Sequence, residues 1–439
     1  MPYSLSYLKG FLNKTFPDFK VKCLDLNAKF HKIEFPDLYK KCDDPSAQTI
    51  TGFGTILNEL TKCSKTAMVE NNRKVVDDKD PILFKEILQK ILDEKPDAVG
   101  VSFVYNSQCF YGRRLIEALE KKGIPCFMGG PAVQMKMLPS FTFLGNEKEI
   151  ITYLSKKANI EEPEIPEPNE IIPNFSDFKN EEYLTHRSII PLKTSNTCFY
   201  KQCTFCTHFA NVPYEETALE NIKKTIIQNK AKHVFFIDDM IATPRLLEIA
   251  EMLKPLNVKW WCQLRPTKDL LGKLQTLYDS GLRSICWGVE SGNQNILNTM
   301  KKGTFVEDVE KVLSESKEAG ILNVAYIMFG FPGETKETFI DTIEFLKKNE
   351  KKIDLISTTL FGLQKGSKMF TKPELFKIKT IDEEKRTVLD EKITYVTSEG
   401  LQKEEVQKLR NKYRKTINNI DKIPRSYSAY KEQILGFCE

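Results

Sequence analysis

Three cysteines stand close together at Cys198, Cys203 and Cys206, in the stretch Thr197-Cys-Phe-Tyr-Lys-Gln-Cys-Thr-Phe-Cys-Thr207. Thiolates this close converge as soft ligands on one centre, which suits iron–sulfur or zinc. Three protein ligands on a four-metal cluster leave one position open to a substrate or cofactor. An open position implies catalysis, whereas four closed ligands imply scaffolding. A structural zinc would need a fourth ligand, for which His208 stands nearby, although zinc sites usually come as two separated pairs. The C-x4-C-x2-C spacing also opens the plant-type ferredoxin pattern, but the next cysteine is Cys262, beyond a further helix and strand. The eleven cysteines are scattered through a chain without a secretory leader. They read as reduced thiols in a cytoplasmic protein.

The elements around this loop must hold it. Ser188 to Leu192 reads as a strand leading into it. A helix over Leu219–Gln228 and strand His233–Ile237 follow, then a helix over Arg245–Leu253 and strand Lys259–Leu264. A helix near Leu270–Asp279 precedes strand Ser284–Val289, a helix ending at Gly320 precedes Asn323–Phe329, and a last helix leads to Ile353–Phe361. Six successive βα units predict a partial (β/α)6 barrel over 186–370, with chemistry at the carboxyl ends of its strands. Several polar groups fall there: Asp238 and Asp239, Arg265, Glu290 with Ser291, and the turn Gly330-Phe-Pro-Gly333. Any one acid could simply cap the next helix, but four in register around one rim point to a site. Alternation puts Cys286, Gly288 and Glu290 on one face, and Gln263 with Arg265.

The chain's first part, 1–155, alternates too: a helix over Tyr7–Leu12, a short strand over Lys20–Leu26, a helix over Pro81–Leu92, a strand over Asp97–Val104, a helix over Gly112–Lys121 and a strand over Pro125–Gly130. This is an α/β, Rossmann-like parallel sheet whose ligands sit beyond the strand ends, at Ser102, Gly129 and Gly130. A Pro/Glu-rich stretch within 156–185 reads as a stiff linker. Residues 371–439 read as a small helical cap. With 41% hydrophobic and 28% charged residues the composition is ordinary for a globular protein. A net charge of +5 over 439 residues is too mild to argue for nucleic acid, and no apolar run is long enough for a membrane span.

The cysteine loop with Phe205 before its last cysteine, Asp238-Asp239, Gly288-Val-Glu-Ser-Gly292 and Gly330-Phe-Pro-Gly-Glu-Thr335 together resemble the radical S-adenosylmethionine (SAM) superfamily, from about Ser188 to Lys368. The N-terminal part resembles the cobalamin-binding domain often fused to it, through Asp25-Leu-Asn27, Asp97-Ala-Val-Gly-Val-Ser102 and Met128-Gly-Gly-Pro131. The resemblance implies that Cys198, Cys203 and Cys206 hold a [4Fe-4S] cluster whose fourth iron binds SAM, and that a 5′-deoxyadenosyl radical abstracts hydrogen from substrate. Phe205, Gly330 and Gly333 would lie by the adenine, Asp238 and Asp239 near the methionine amine, and Glu290 with Ser291 at the ribose or methionyl end. An electron donor such as flavodoxin or ferredoxin and a small-molecule or peptide substrate are implied partners. Two departures stand out: the first cysteine gap is one residue longer than the commonest form, and no Asp-x-His-x-x-Gly supplies a lower cobalt ligand. The leading expectation is methyl transfer to an unactivated carbon from cobalamin. The alternative is a cobalamin-independent epimerase, rearrangement or crosslinking enzyme, with Cys262 or Cys286 as hydrogen donor. A non-enzymatic iron–sulfur protein is the third reading.

Overall fold

The computed structural model describes residues 1–132, 141–207, 212–385 and 392–438, and the chain divides into two compact units. The first comprises residues 1–44 and 58–184 with a short later segment; the second comprises 45–57 and most of the chain after Leu184. His208, the alternative fourth ligand, lies outside the described residues.

In the first unit a three-stranded parallel sheet runs β1 (Val99–Ser102), β2 (Cys126–Gly129), β3 (Thr142–Phe143). The helices Phe84–Leu92 and Asn106–Glu120 bury Ile87, Ile91, Leu115, Ile116 and Leu119 in one core with Phe103 and Met128. The expected strand over Lys20–Leu26 is not formed. Residues 20–25 run without strand pairing, the Cys23 N–H donates to the Asp177 side chain at 2.8 Å, and Asp25 caps the helix Leu26–Glu34 through the Ala28 N–H. A backbone donor satisfied by a side chain cannot extend a ladder. The helix Ile50–Val76 is additional to the expected elements. The acidic stretch after residue 160 has only short 3₁₀ turns, yet it is pinned down. Ile171, Phe175 and Phe178 are buried, and Asp177 pairs with Lys9 at 2.6 Å and Lys22 at 3.2 Å.

The second unit is built on six parallel strands in chain order: β4 (Ile190–Leu192), β5 (His233–Phe236), β6 (Lys259–Leu264), β7 (Leu282–Glu290), β8 (Leu322–Phe329) and β9 (Leu355–Leu360). Register alone sorts the two faces of the sheet. Cys286 pairs with Gln263 and Val324, whereas Cys262 pairs with Ile285. The face of Ile285 and Trp287 meets the covering helices: the Trp287 indole donates to Asn323, which also receives Ser316 from the helix Val306–Glu318. Cys262 therefore faces those helices and Cys286 the opposite, inner face. A 3₁₀ segment, Lys431–Phe437, packs against β5, β6 and β7, with Ile434 and Leu435 fully buried and the Lys431 ammonium over the Tyr326 ring.

The C-terminal region is not purely helical. An antiparallel hairpin, β10 (Ile378–Glu384) with β11 (Lys392–Thr397), precedes the helix Lys403–Ile420. Its inward members, Ile393 and Tyr395 two apart on β11 and Ile378 and Ile381 three apart across a register irregularity on β10, join the cluster of Phe331 and Phe361. The hairpin's apolar face thus lies against the turn that follows β8.

Candidate functional site

Asp238, at the carboxyl end of β5, fixes where the cysteine loop begins. Its carboxylate is buried and accepts from the Thr194 and Ser195 N–H groups and from both their hydroxyls, at 2.8–3.1 Å. Burial raises its pKa against the pull of these donors. Four of these five contacts fall on Oδ1, so the structure gives Asp238 an anchoring task for the loop. Asp239 beside it is exposed.

The loop's other side is fastened to the end of the helix Gln294–Thr299. Three consecutive carbonyls there accept from it or beside it: Met300 from the Thr204 N–H (3.0 Å), Lys301 from the Tyr200 hydroxyl (2.9 Å) and Lys302 from the Arg265 guanidinium (2.6 Å). The Arg265 guanidinium also lies 3.4 Å over the Tyr200 ring. Arg265 is thus a bracket for the loop. Cys198, Cys203 and Cys206 are all half-buried thiols within this clamp.

Glu290 ends β7 in a left-handed conformation, φ +65°, after a register shift between Gly288 and Glu290. A non-glycine residue held there is strained, and such strain concentrates at functional sites. Its carboxylate meets the Lys302 ammonium at 2.8 Å, with both side chains nearly buried. A β-carbon on Gly288 would stand 2.8 Å from that ammonium, so a side chain there would have to displace the tip of Lys302. Burial opposes the Lys302 charge, but Glu290 and then Cys203 outweigh it and raise its pKa. At Cys203 burial raises the thiol pKa, while Lys302 and Arg265 pull it down. Beside Arg265, the cysteine loop therefore has a second neighbouring cation in Lys302, a residue not singled out from sequence. A Lys-Lys-Gly after a helix reads as an ordinary exposed stop signal, so nothing but the fold reveals it.

Phe205 stands edge-on to Phe331 at 6.4 Å, which brings the aromatic of the cysteine loop to the Gly330–Gly333 turn. Gly330 and Gly333 both have positive φ, and the Gly330 N–H donates to Glu334 at 2.6 Å. Burial pushes the Glu334 carboxyl up to about 7 against that bond, and its other oxygen has no partner among the described residues. Ser291 is turned away from this group: its hydroxyl pairs with Thr342 and accepts from the Asn293 N–H. Cys286 lies deeper on the inner face, fully buried and hydrogen-bonded to Tyr326, and burial pushes its thiol up to about 12. Cys262 is on the other face. Among the described residues no three His, Cys, Asp or Glu side chains converge as a single-ion site. A cubane places each thiolate on a different iron, so its ligands stand farther apart than those of one zinc.

A family model described as the radical SAM superfamily matches residues 192–346, which contain the triplet, Arg265, Glu290, Lys302 and the Gly330 turn. Residues 192–346 thus form a radical SAM domain. The ribosomal protein uS12 methylthiotransferase RimO of Thermosipho melanesiensis is 26% identical over 247 residues, covering 51% of this chain and 54% of that protein. The chain thus spans about half the length of this curated relative. Among solved structures, the cobalamin-dependent SAM radical enzyme OxsB with aqua-cobalamin superposes with a TM-score of 0.57 at 17% identity, covering 81% of this chain and 65% of that one. The radical SAM methyltransferase TsrM from Kitasatospora setae, with cobalamin and a [4Fe-4S] cluster, gives 0.50 at 16%, covering 65% and 66%. These likenesses extend the fold beyond the radical SAM region. Radical SAM enzymes use a [4Fe-4S] cluster and SAM, and the residues here suit both: three thiols for three irons, and a cation–carboxylate pair beside them for a zwitterionic ligand.

In the first unit, Ser102 ends β1 and Gly129 ends β2. Gly130 has φ +105°, and a side chain on it would collide with the Phe103 carbonyl. Val104 and Tyr105 are exposed just beyond the end of β1, and Phe143, the last residue of β3, is exposed as well. His31 is engaged elsewhere, its Nε2 3.3 Å from the Ser64 hydroxyl and its ring between Phe30 and Phe35. No described helix is long and apolar enough to cross a membrane.

Proposed function

We propose that this radical SAM enzyme transfers a methyl group from cobalamin to an unactivated carbon of a small-molecule or peptide substrate. Cys198, Cys203 and Cys206 would hold the cluster. Glu290 and Lys302 would receive the charged methionyl end of SAM, and Phe205 with the Gly330–Gly333 backbone its adenine. When bound, the cluster and SAM supply a carbon-centred radical for hydrogen abstraction. The protein's own part is positioning: Asp238 and Arg265 hold the loop, and the Phe331 cluster excludes water from its flank. Cobalamin would lie over Ser102, Gly129 and Gly130, its corrin against the exposed Val104, Tyr105 and Phe143. With His31 occupied by Ser64, the cobalt would carry no histidine from below.

The observation that carries this reading is the parallel sheet ahead of the barrel, with a glycine-cleared, apolar rim at its strand ends. One observation favours the cobalamin-independent alternative: among the described residues the sheet has three strands, the third of two residues, and residues 20–25 do not add another. Anaerobic reconstitution followed by hydroxocobalamin and gel filtration tests the choice. About four irons per chain, co-eluting cobalt and a spectrum unchanged by His31→Ala are expected. Protein that makes 5′-deoxyadenosine yet elutes without cobalt would move the assignment to the alternative, and stoichiometric zinc without iron would remove both.

A further inference from the structure

A polar cavity of about 310 Å³ opens between β9 and the helix Lys403–Ile420. Arg410, Arg414 and Arg425 converge on it, with Thr358, Gln407 and Asn411 beside them. None of these residues belongs to the cysteine loop or to the strand-end groups described above. We propose that this cavity binds the oxyanion of a phosphorylated small molecule.

The charge distribution carries the argument. Three guanidinium groups are answered by one carboxylate, Asp421, whose Oδ2 stands 3.7 Å from the Arg425 Nε. The other oxygen of Asp421 already accepts from the Ile356 N–H at 2.7 Å. Arg410 reaches only the Thr358 hydroxyl and carbonyl, at 2.9 and 3.3 Å. Arg414 is exposed and has no hydrogen-bond or ion-pair partner among the described residues. Like charges crowd here enough that Arg410, already disfavoured by burial, is pushed further down by Arg425 and Arg414.

Structural arginines normally sit on carboxylates or carbonyls; here Arg414 has no such partner among the described residues and Arg425 only a carboxylate 3.7 Å away, so with Arg410 they face one cavity as a preassembled set of forked donors. A phosphate accepts such donors bidentately, and its charge relieves the repulsion. The hydroxyl and amide groups of Thr358, Gln407 and Asn411 would complete its coordination. The cavity exceeds the size of a phosphate, leaving room for the group that bears it.

The probe is inorganic pyrophosphate, titrated calorimetrically into the full chain at constant ionic strength set with chloride. Saturable binding with a dissociation constant of about 1 mM or tighter is expected. Arg414→Gln, which breaks no described contact, should weaken it about tenfold or more, as loss of a charge-assisted bond requires. Asp421→Asn keeps the acceptor for Ile356 but removes the competing charge, and should tighten it. Heat that follows ionic strength alone, an Arg414→Gln protein that binds as the parent does, or an Asp421→Asn protein that binds no better would each overturn the proposal.

Discussion

Replacing Asp238 separates an anchor from a ligand. In Asp238→Ala the Thr194 and Ser195 N–H groups lose their acceptor inside a buried site. The Ser195 hydroxyl can turn to the Thr197 carbonyl, 3.1 Å away, so the backbone donors carry most of the loss. Each orphaned buried donor costs about 1–3 kcal/mol, which makes a destabilisation of about 4 kcal/mol. That is a large share of a domain's total. Asn should behave differently. Four of the five contacts fall on Oδ1, an oxygen that Asn retains, and only the second contact from Thr194 falls on Oδ2. Asp238→Asn should therefore lose only about 1 kcal/mol. The three tryptophans, Trp260, Trp261 and Trp287, all stand on β6 and β7. Urea unfolding followed by their fluorescence thus reports the second unit specifically. Iron content after reconstitution should fall in step with the stability of the variant. If Asp238→Ala unfolds within about 1 kcal/mol of the parent, or Asn proves as damaging as Ala, the anchoring argument is wrong.

Lys302→Met strands the Glu290 carboxylate in a nearly closed site and should cost about 3–5 kcal/mol, with most of it restored in the Glu290→Gln/Lys302→Met double variant; a urea-based double-mutant cycle with no coupling would contradict the pairing. Glu290→Ala should weaken SAM binding, measured by equilibrium dialysis, by about 1.5–3 kcal/mol, and a variant with unchanged affinity would leave Glu290 a purely structural partner of Lys302. Glu334 has its pKa raised from 4.5 to about 7, so the folded state holds a proton that the unfolded chain has released. Stability should fall as pH rises through that window, by about 3 kcal/mol in all. Glu334→Gln should flatten this dependence in thermal melts between pH 5 and about 8, and an equally steep profile in the variant would exclude Glu334 as its source.

The barrel was legible because parallel strands buried on both faces leave near-continuous apolar runs, and all six of its strands fall within two residues of their sequence bounds. Phe205 and the Gly330 turn, placed together by resemblance, do meet through Phe331. Other positions were read correctly as rim residues while their tasks stayed hidden. Asp238, Arg265 and Ser291 point at backbone and hydroxyl groups 37–51 residues away, a matter of tertiary distance that no local spacing encodes. Lys302 was invisible for the opposite reason, since its sequence context is that of a common helix end. The alternation argument for Cys286 held because the irregularity in β7 comes later, at Glu290. The hairpin escaped because its exposed face is heavily charged and the irregularity in β10 sets Ile378 and Ile381 three apart, a spacing that reads as helical surface.

The segment Lys431–Phe437 has a consequence for the order of synthesis. It fills the space beside β5, β6 and β7, and its Phe437 ring stacks on His186 at 4.3 Å. The second unit also draws on residues 45–57, made long before β4. On the ribosome, then, the six strands must wait, with one side of their core unfilled, until about 75 further residues after Leu360 have emerged. During that interval Ile434 and Leu435 are still missing from a surface that they later seal. Slow translation of the last helix would lengthen this exposure, and the nascent barrel would present an apolar face to chaperones until the final turn seats.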